Sequence, residues 1–232
     1  MPGPLTRLTL ESVEAVYSGL SGVSFDWLSQ AEQASLSAMT AARRRAQFIA
    51  GRWLARQCLA VRAGGRWQDY ALSAPDYGAP QLLAAPVSGS WYFSLSHSGD
   101  WLACAVSQQP VGVDVECSDR TRDFPALNEW MHEPQVLQDM PADPGEQQAW
   151  FYAQWTLKEA WFKQVTSANP APVPRPSMRT ARFTPCEADG GTAMVGQGAA
   201  FTVAVYPATP GMLQSAGGAL GQVQWTNWKF AG

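Results

Sequence analysis

The feature that most constrains the fold is a series of short runs in which apolar and polar residues alternate. Turn residues separate three such runs at hairpin-like spacings, so each run predicts a β-strand: residues 91–96, 101–107 and 111–116. The last run lies within the stretch QPVGVDVE, residues 109–116, and its three valines occupy one face of the strand. Gly112, Asp114 and Glu116 occupy the other face, because successive side chains point to opposite sides. This strand predicts a core on one side and an acidic site on the other.

Two longer stretches predict helices. Residues 30–62 lack breakers except Gly51, and residues 146–166 begin with an acid and end before Asn169-Pro170. Further strand-like runs follow in the last part of the chain: residues 180–184, 199–206 and 222–230. A helix-plus-sheet unit on each side of residue 109 predicts an α+β fold with two halves, residues 1–109 and 110–232.

Composition excludes several classes of protein. The 232 residues are 46% hydrophobic, enough to bury a core, but no run of about 18 apolar residues predicts a membrane span. The start of the chain lacks the basic and apolar segments of a secretory signal. The four cysteines are far apart, which argues against a zinc site or a disulfide framework and favours reduced thiols. We therefore expect a cytoplasmic protein with no membrane partner.

The net charge of −3 hides an uneven distribution of basic residues. Between Glu32 and Asp69 there is no acid, yet this stretch holds seven arginines: Arg43, Arg44, Arg45, Arg52, Arg56, Arg62 and Arg66. Such a cluster on an acidic chain indicates local anion binding, although arginines can also line a solvated helix face. An overall negative charge argues against a nucleic-acid partner.

The pair Asp114 and Glu116 suggests a cation site. Two carboxylates on one strand face can converge on a hard cation, and Mg²⁺ favours a few carboxylates together with waters and substrate phosphates. Without a cation or a base the pair would repel. The alternative is an exposed strand face on which both acids are simply solvated.

The stretch WTLKEAWFK, residues 155–163, adds a second set of charges. Glu159 and Lys163 are four residues apart on a predicted helix, so they share one face with Trp155. An ordinary surface ion pair is the alternative. A functional pair would place a third carboxylate oxygen near Asp114 and Glu116 and a lysine near a phosphate.

Four motifs, taken together, resemble a known family. YGAP, FSLSHSG, VGVDVE and WTLKEAWFK follow one another between residues 77 and 163. This series is similar to the signatures of 4′-phosphopantetheinyl transferases of the larger, surfactin-synthetase-activating type. The resemblance implies a monomer with two similar α/β halves related by a pseudo-two-fold axis. It also implies transfer of the phosphopantetheine arm of coenzyme A to a serine of an apo acyl, aryl or peptidyl carrier protein, with adenosine 3′,5′-bisphosphate as the second product.

The resemblance also implies roles for individual residues. The matching metal ligands for Mg²⁺, with Mn²⁺ as an alternative, are Asp114, Glu116 and Glu159. Glu159 matches the base that activates the serine, and Lys163 matches the lysine that assists the leaving phosphate. Residues expected to contact coenzyme A, the co-substrate, are Arg44, Arg52, Ser96, His97, Lys158 and Lys163.

Two departures from the family pattern concern substrate contacts. Relatives often have lysine where this chain has Ala79, and a Pro-rich segment over residues 169–176 replaces a glycine-containing loop. Because carrier proteins are generally acidic, we expect them to bind a basic and partly apolar surface formed by Arg120, Arg122 and residues 124–131.

Two other functions remain open on the sequence. A metal-dependent nuclease would use similar acids and a lysine, but the residue two positions after Glu116 is Ser118 and not lysine. A non-catalytic module that binds coenzyme A or a carrier would be expected to lack an acid or Lys163, and neither is missing.

Overall fold

The computed structural model describes residues 5–75, 79–119, 122–167, 177–187, 190–216 and 218–231. Its first sheet has the order β10-β1-β5-β4, formed by β1 (Thr6–Ser12), β4 (Tyr92–Ser98), β5 (Trp101–Ser107) and β10 (Leu213–Ala216). Its second sheet has the order β6-β9-β8-β11-β7, formed by β6 (Gly112–Cys117), β7 (Phe183–Cys186), β8 (Ala193–Gln197), β9 (Phe201–Tyr206) and β11 (Gln224–Phe230). A small antiparallel pair consists of β2 (Ala71–Leu72) and β3 (Leu82–Ala84).

The helices are α1 (Val13–Ser18), α2 (Gln30–Ala38), α3 (Ala42–Ala63), α4 (Phe124–Met131), α5 (Pro134–Leu137) and α6 (Pro144–Ser167). The predicted helix over residues 30–62 is therefore two helices. Ser29 caps α2 in a capping box with Glu32, and the chain becomes extended at Met39 before α3 begins. Asp143 caps α6, because its carboxylate accepts hydrogen bonds from the backbone of Gly145 and Glu146.

The two sheets pack face to face, with one long helix on each outer side. Apolar residues of β1, β5, β6 and β9 form the central core between the sheets, including Leu8, Ala103, Val113 and Val203. The opposite faces of β4 and β5 pack on α3, and β8, β9 and β11 pack on α6. The result is a four-layer arrangement of helix, sheet, sheet and helix, and the predicted α+β class is confirmed.

The strand β6 has the two faces that its sequence predicts. Val111, Val113 and Val115 belong to the core between the sheets. The other face of β6 packs on α6, with which it makes extensive contacts. The acidic residues of this strand therefore face a helix.

One strand connection differs from the prediction. β4 and β5 form the expected hairpin, with Gly99 at a φ of 58° in the turn. β5 and β6 do not pair, although their spacing resembles that of a hairpin; β6 pairs with β9 in the other sheet. The inner residues of β5 and β6 meet across the core between the sheets, which requires the two strands to lie in different layers.

The predicted boundary at residues 109 and 110 falls between these two layers. β10, a strand of the C-terminal half, nevertheless lies in the first sheet, where it pairs in parallel with β1. The pseudo-two-fold relation between the halves stays a prediction. Within the described residues, no helix is both long and apolar enough to cross a membrane.

Gly112 sets the distance between β6 and α6. A Cβ atom at this position would overlap the backbone carbonyl oxygen of Ala160 and press on the backbone nitrogen of Gln164. Backbone atoms on both sides leave little freedom to relax, so this glycine allows the close approach. The acidic face of β6 is thereby held against one side of α6.

We predict that Gly112→Ala lowers the free energy of unfolding by about 1–3 kcal/mol, the usual range for overpacking a core. Gly211→Ala serves as the matched control, because a Cβ there has no atom within 4 Å. Urea unfolding of both variants measures the difference. Equal stability of the two variants would contradict the proposed close packing.

Candidate active site

The two acids of β6 differ in burial and in the use of their oxygens. Asp114 is buried, and its Oδ1 accepts hydrogen bonds from Ser96 Oγ at 2.7 Å and from Lys163 Nζ at 2.6 Å. Its Oδ2 is buried and accepts no hydrogen bond from the part of the chain that the structure describes. Glu116 is half-buried, and both of its oxygens are used: Trp155 Nε1 lies 3.3 Å from Oε1, and Ser98 Oγ lies 2.8 Å from Oε2.

One face of α6 lies opposite these acids. Trp155 contacts Glu116, and Lys163, eight residues later, contacts Asp114. Glu159 lies midway between them in the sequence and is half-buried. Because residues four apart share a helix face, Glu159 lies on the face of α6 that meets the acidic face of β6. The structure thus brings the predicted acids and Lys163 to one helix–strand interface.

A buried carboxylate is stable only with a partner, and Lys163 supplies it. The side chains of Asp114 and Lys163 are 7% and 21% exposed, so their ion pair is largely shielded from solvent. Removing either member of such a pair leaves an uncompensated buried charge, which is strongly unfavourable. Asp114 and Lys163 therefore act as one unit.

The carboxylate oxygens of this interface could supply some, but not all, of the ligands of a divalent cation. The described residues contain no group of three or more His, Cys, Asp or Glu side chains placed to hold a metal ion, so Asp114, Glu116 and Glu159 do not form a closed protein cage. Mg²⁺ does not require one, because it is usually held by one or two carboxylates together with waters and substrate phosphates. The unpartnered Oδ2 of Asp114 is a suitable oxygen ligand. Metal binding here stays a prediction.

His97 lies near the same charges. Its side chain is exposed, but surrounding atoms still desolvate the ring in part, and this lowers the pKa of His97. The positive charges of Lys163 and Arg44 lower the pKa further, while Asp114 raises it. His97, a residue of the N-terminal half, therefore lies within electrostatic reach of Asp114, Lys163 and Arg44.

The comparisons with known proteins agree with this arrangement. Residues 31–107 match the family model of the 4′-phosphopantetheinyl transferase N-terminal domain, and residues 110–202 match that of the 4′-phosphopantetheinyl transferase superfamily. The second match includes every acid and lysine of the interface. The chain belongs to the 4′-phosphopantetheinyl transferase superfamily.

Individual relatives match over parts of the chain. The 4′-phosphopantetheinyl transferase Sfp of Bacillus subtilis is 29% identical over 111 residues, which is 48% of each chain. The 4′-phosphopantetheinyl transferase psf-1 of Bacillus pumilus is 41% identical over 87 residues, 37% of this chain and 35% of the relative. The 4′-phosphopantetheinyl transferase HetI of a Nostoc species is 29% identical over 161 residues, 68% of this chain and 66% of the relative. The chain thus spans about half the length of the Sfp protein that it matches.

Ser96 has a different partner from the one that the family resemblance implies. The resemblance places it near the 3′-phosphate of coenzyme A, but the side chain is 8% exposed and its hydroxyl donates to Asp114. A hydroxyl has a single proton to donate, so in this conformation Ser96 has none for a phosphate. Its observed role is to hold Asp114.

Lys158 does not join the acidic interface. It is fully buried, and its ammonium donates to the carbonyls of Met131 and Met178 and contacts the His132 ring at 3.0 Å. Desolvation, together with the nearby charge of Arg179, lowers the pKa of Lys158 to about 7. These contacts occupy its ammonium group and tie α6 to α4 and to Met178, and a contact between Lys158 and coenzyme A stays a prediction.

Arg52 is also enclosed. It is 7% exposed, donates to the Ser73 carbonyl at 2.8 Å, lies 3.7 Å from Glu32 and packs its guanidinium over Phe48. Glu32 makes its short ion pair, 2.7 Å, with Arg56 instead. Burial lowers the pKa of Arg52 to about 10, because its charge is only partly compensated. A contact between Arg52 and coenzyme A stays a prediction, as Arg52 shares no described contact with Asp114.

A pocket that the sequence did not indicate adjoins Glu116. It has a volume of about 290 Å³ and is lined by Trp130, Met131, Trp155, Met178 and Arg179. Trp155 is shared with the acidic interface, because its indole donates to Glu116. The lining comes from three separate segments, so periodicity within any one segment could not predict it.

The buried histidine near this pocket makes stability depend on pH. Desolvation and the charges of Lys158 and Arg179 lower the pKa of His132 to about 3. Between that value and about 6.5, the unfolded chain binds a proton at this residue and the folded chain does not, so stability falls as the pH falls through this window. We predict that the free energy of unfolding decreases less steeply between pH 6.5 and 4 in His132→Gln than in the unmodified protein. Urea unfolding across this range measures the two slopes, and identical slopes would contradict the assignment.

Proposed function

We propose that this protein transfers the 4′-phosphopantetheine arm of coenzyme A to a serine hydroxyl of an apo acyl, aryl or peptidyl carrier protein. The products are the holo carrier protein and adenosine 3′,5′-bisphosphate. The observation that supports this most directly is the buried ion pair between Asp114 of the acidic strand β6 and Lys163 of α6, which lies near the junction of the two matched family regions.

The chemistry is displacement at a phosphoanhydride. The carrier serine oxygen forms a bond to the phosphorus that bears the pantetheine arm, and the bond from that phosphorus to the bridging oxygen breaks. The electron pair leaves with the adenosine bisphosphate. In such reactions the protein contributes mainly positioning and neutralisation of charge.

Glu159 and Lys163 have complementary roles in this proposal. Glu159 accepts the proton of the attacking serine, a role that typically contributes about 10²–10⁴-fold. Lys163 places a positive charge beside the leaving phosphate, and its shielding from water strengthens the attraction. Asp114 holds Lys163 in place through the 2.6 Å contact.

The same acids would hold Mg²⁺, with Mn²⁺ as an alternative. Asp114 and Glu116 would supply the protein oxygens, and Glu159 lies on the adjoining helix face. When bound, the ion neutralises the negative charge of the pyrophosphate.

The substrate would extend from the acidic interface in two directions. Toward the N-terminal half, the positive charges of Arg44 and Arg52 and the imidazole of His97 would receive the nucleotide phosphates. His97 contributes as a hydrogen-bond donor, since its lowered pKa keeps it neutral near pH 7. On the other side, the pocket beside Trp155 would receive the pantetheine arm, whose slender shape suits a mostly apolar wall.

The carrier protein would approach along α4. The predicted docking surface includes Arg122 and the helix Phe124–Met131, whose Trp130 is 59% exposed. Arg120 and the Pro-rich segment over residues 169–176 lie outside the described residues. A cytoplasmic location and a monomeric state complete the proposal.

Substitution of Glu159 tests the proposed base. Glu159→Gln should lower the turnover number at least about 100-fold, because an amide cannot accept the serine proton. Glu146→Gln is the matched control, an exposed glutamate in the first turn of the same helix, and should modify carrier protein at the unmodified rate. Mass spectrometry of an apo carrier incubated with coenzyme A and Mg²⁺ measures the transfer. Full activity of Glu159→Gln would remove its assigned role.

Lys163→Ala tests the leaving-group role. We expect the turnover number to fall by more than the KM for coenzyme A rises, because the charge acts on the bond that breaks. A change confined to KM would indicate a binding role instead. Asp114→Asn should show the same pattern, as it removes the charge that orients the lysine.

Plasmid DNA incubated with the unmodified protein and Mg²⁺ should remain intact, whereas cleavage would favour a nuclease.

A further inference from the structure

Alternate serines of β4 join the edges of the two sheets. β4 is the last strand of the first sheet and β6 the first strand of the second, and the two are not paired as neighbouring strands. Instead, Ser94, Ser96 and Ser98 lie on the face of β4 that meets β6, since residues two apart share a strand face. Their side chains are buried, with exposures of 4%, 8% and 8%. Each of them forms a hydrogen bond to β6.

The three serines differ in what they bind. Ser94 Oγ accepts from the backbone N–H of Val113 at 3.1 Å. Ser96 and Ser98 donate to side chains, to Asp114 at 2.7 Å and to Glu116 at 2.8 Å. Ser94 therefore supports the strand, while the other two hold the carboxylates of the proposed metal site.

The hydroxyl of Ser98 is fixed in direction. Its oxygen accepts from the backbone N–H of Cys117 at 3.2 Å, which leaves its single proton for Glu116 Oε2. The other oxygen of Glu116 accepts from the indole N–H of Trp155 on α6. Glu116 is thus held from both sides, by one donor from β4 and one from α6, and its carboxylate plane cannot turn freely.

We propose that Ser98 is a positioning residue that orients Glu116 for divalent-cation binding. Hydrogen bonds to a metal ligand reduce the number of orientations it samples, and their loss typically weakens metal affinity about 10–100-fold. The inference rests on the metal site of the proposed function. It adds a residue of the N-terminal half to the determinants of cation affinity, although Ser98 itself provides no ligand.

The test measures Mn²⁺ binding to the whole protein without coenzyme A, by the electron paramagnetic resonance signal of free Mn²⁺. Ser98→Ala should raise the Kd for Mn²⁺ about 10–100-fold. Ser98→Thr keeps the hydroxyl and should retain most of the affinity. Ser94→Ala is the matched control, because it removes a buried serine of the same strand that binds no carboxylate; it should lower stability and leave the Kd unchanged.

Several results would overturn the inference. These are an unchanged Kd in Ser98→Ala, an equal loss of affinity in Ser94→Ala, or the absence of Mn²⁺ binding by the unmodified protein. Thermal unfolding followed by circular dichroism identifies a variant that does not fold. If Ser98→Ala is such a variant, Trp155→Phe removes the donor to the other oxygen of Glu116 and should also raise the Kd; an unchanged value there would count against the proposal.

Failure of the proposed function would look different. If the unmodified protein binds Mn²⁺ in a Ser98-dependent way but modifies no apo carrier, the transferase proposal fails and the role of Ser98 stands. If carrier modification proceeds but Ser98→Ala binds Mn²⁺ normally, only the role of Ser98 is lost.

Discussion

The close contact between β6 and α6 is the constraint on which the candidate site depends. Gly112 allows the backbone of α6 at Ala160 to lie directly against the strand, so the acidic side chains that follow on β6 contact one face of the helix. Asp114 contacts Lys163, and Glu116 contacts Trp155. The desolvation cost of burying Asp114 is offset by its ion pair and by the hydrogen bond from Ser96. A wider gap between β6 and α6 would admit water, which would weaken the ion pair and the hydrogen bond of Asp114.

The site also depends on the junction between the two sheets. The sheets share one apolar core, and their edges meet where β4 lies beside β6. Burial at this junction removes water from the polar groups of both edges, and within the described residues neither strand has a ladder partner on that side. The serines of β4 satisfy part of this requirement and at the same time hold the acids of β6. Stability of the junction and geometry of the site therefore have the same physical origin.

Much of this arrangement could be predicted from the sequence, and what was missed has a common reason. The period-two pattern of QPVGVDVE predicted the core and acidic faces of β6, and the spacing of Glu159 and Lys163 predicted the helix face opposite. Local patterns do not specify which layer a strand joins, so the apparent hairpin between β5 and β6 was wrong. They also do not reveal partners distant in sequence, so the hydrogen bond from Ser96 to Asp114 was not predicted and Ser96 was interpreted only as a contact of coenzyme A.

The two lysines of α6 illustrate this limit. Lys158 and Lys163 occur in one motif, five residues apart, and the resemblance places both near phosphates. Five residues turn a helix by about 140°, so the two side chains leave on different sides. Lys163 forms an ion pair with the Asp114 carboxylate, whereas Lys158 contacts backbone carbonyls and His132, and burial lowers the pKa of Lys158 to about 7. Only the partners supplied by distant segments decide which of the two lysines joins the acidic interface.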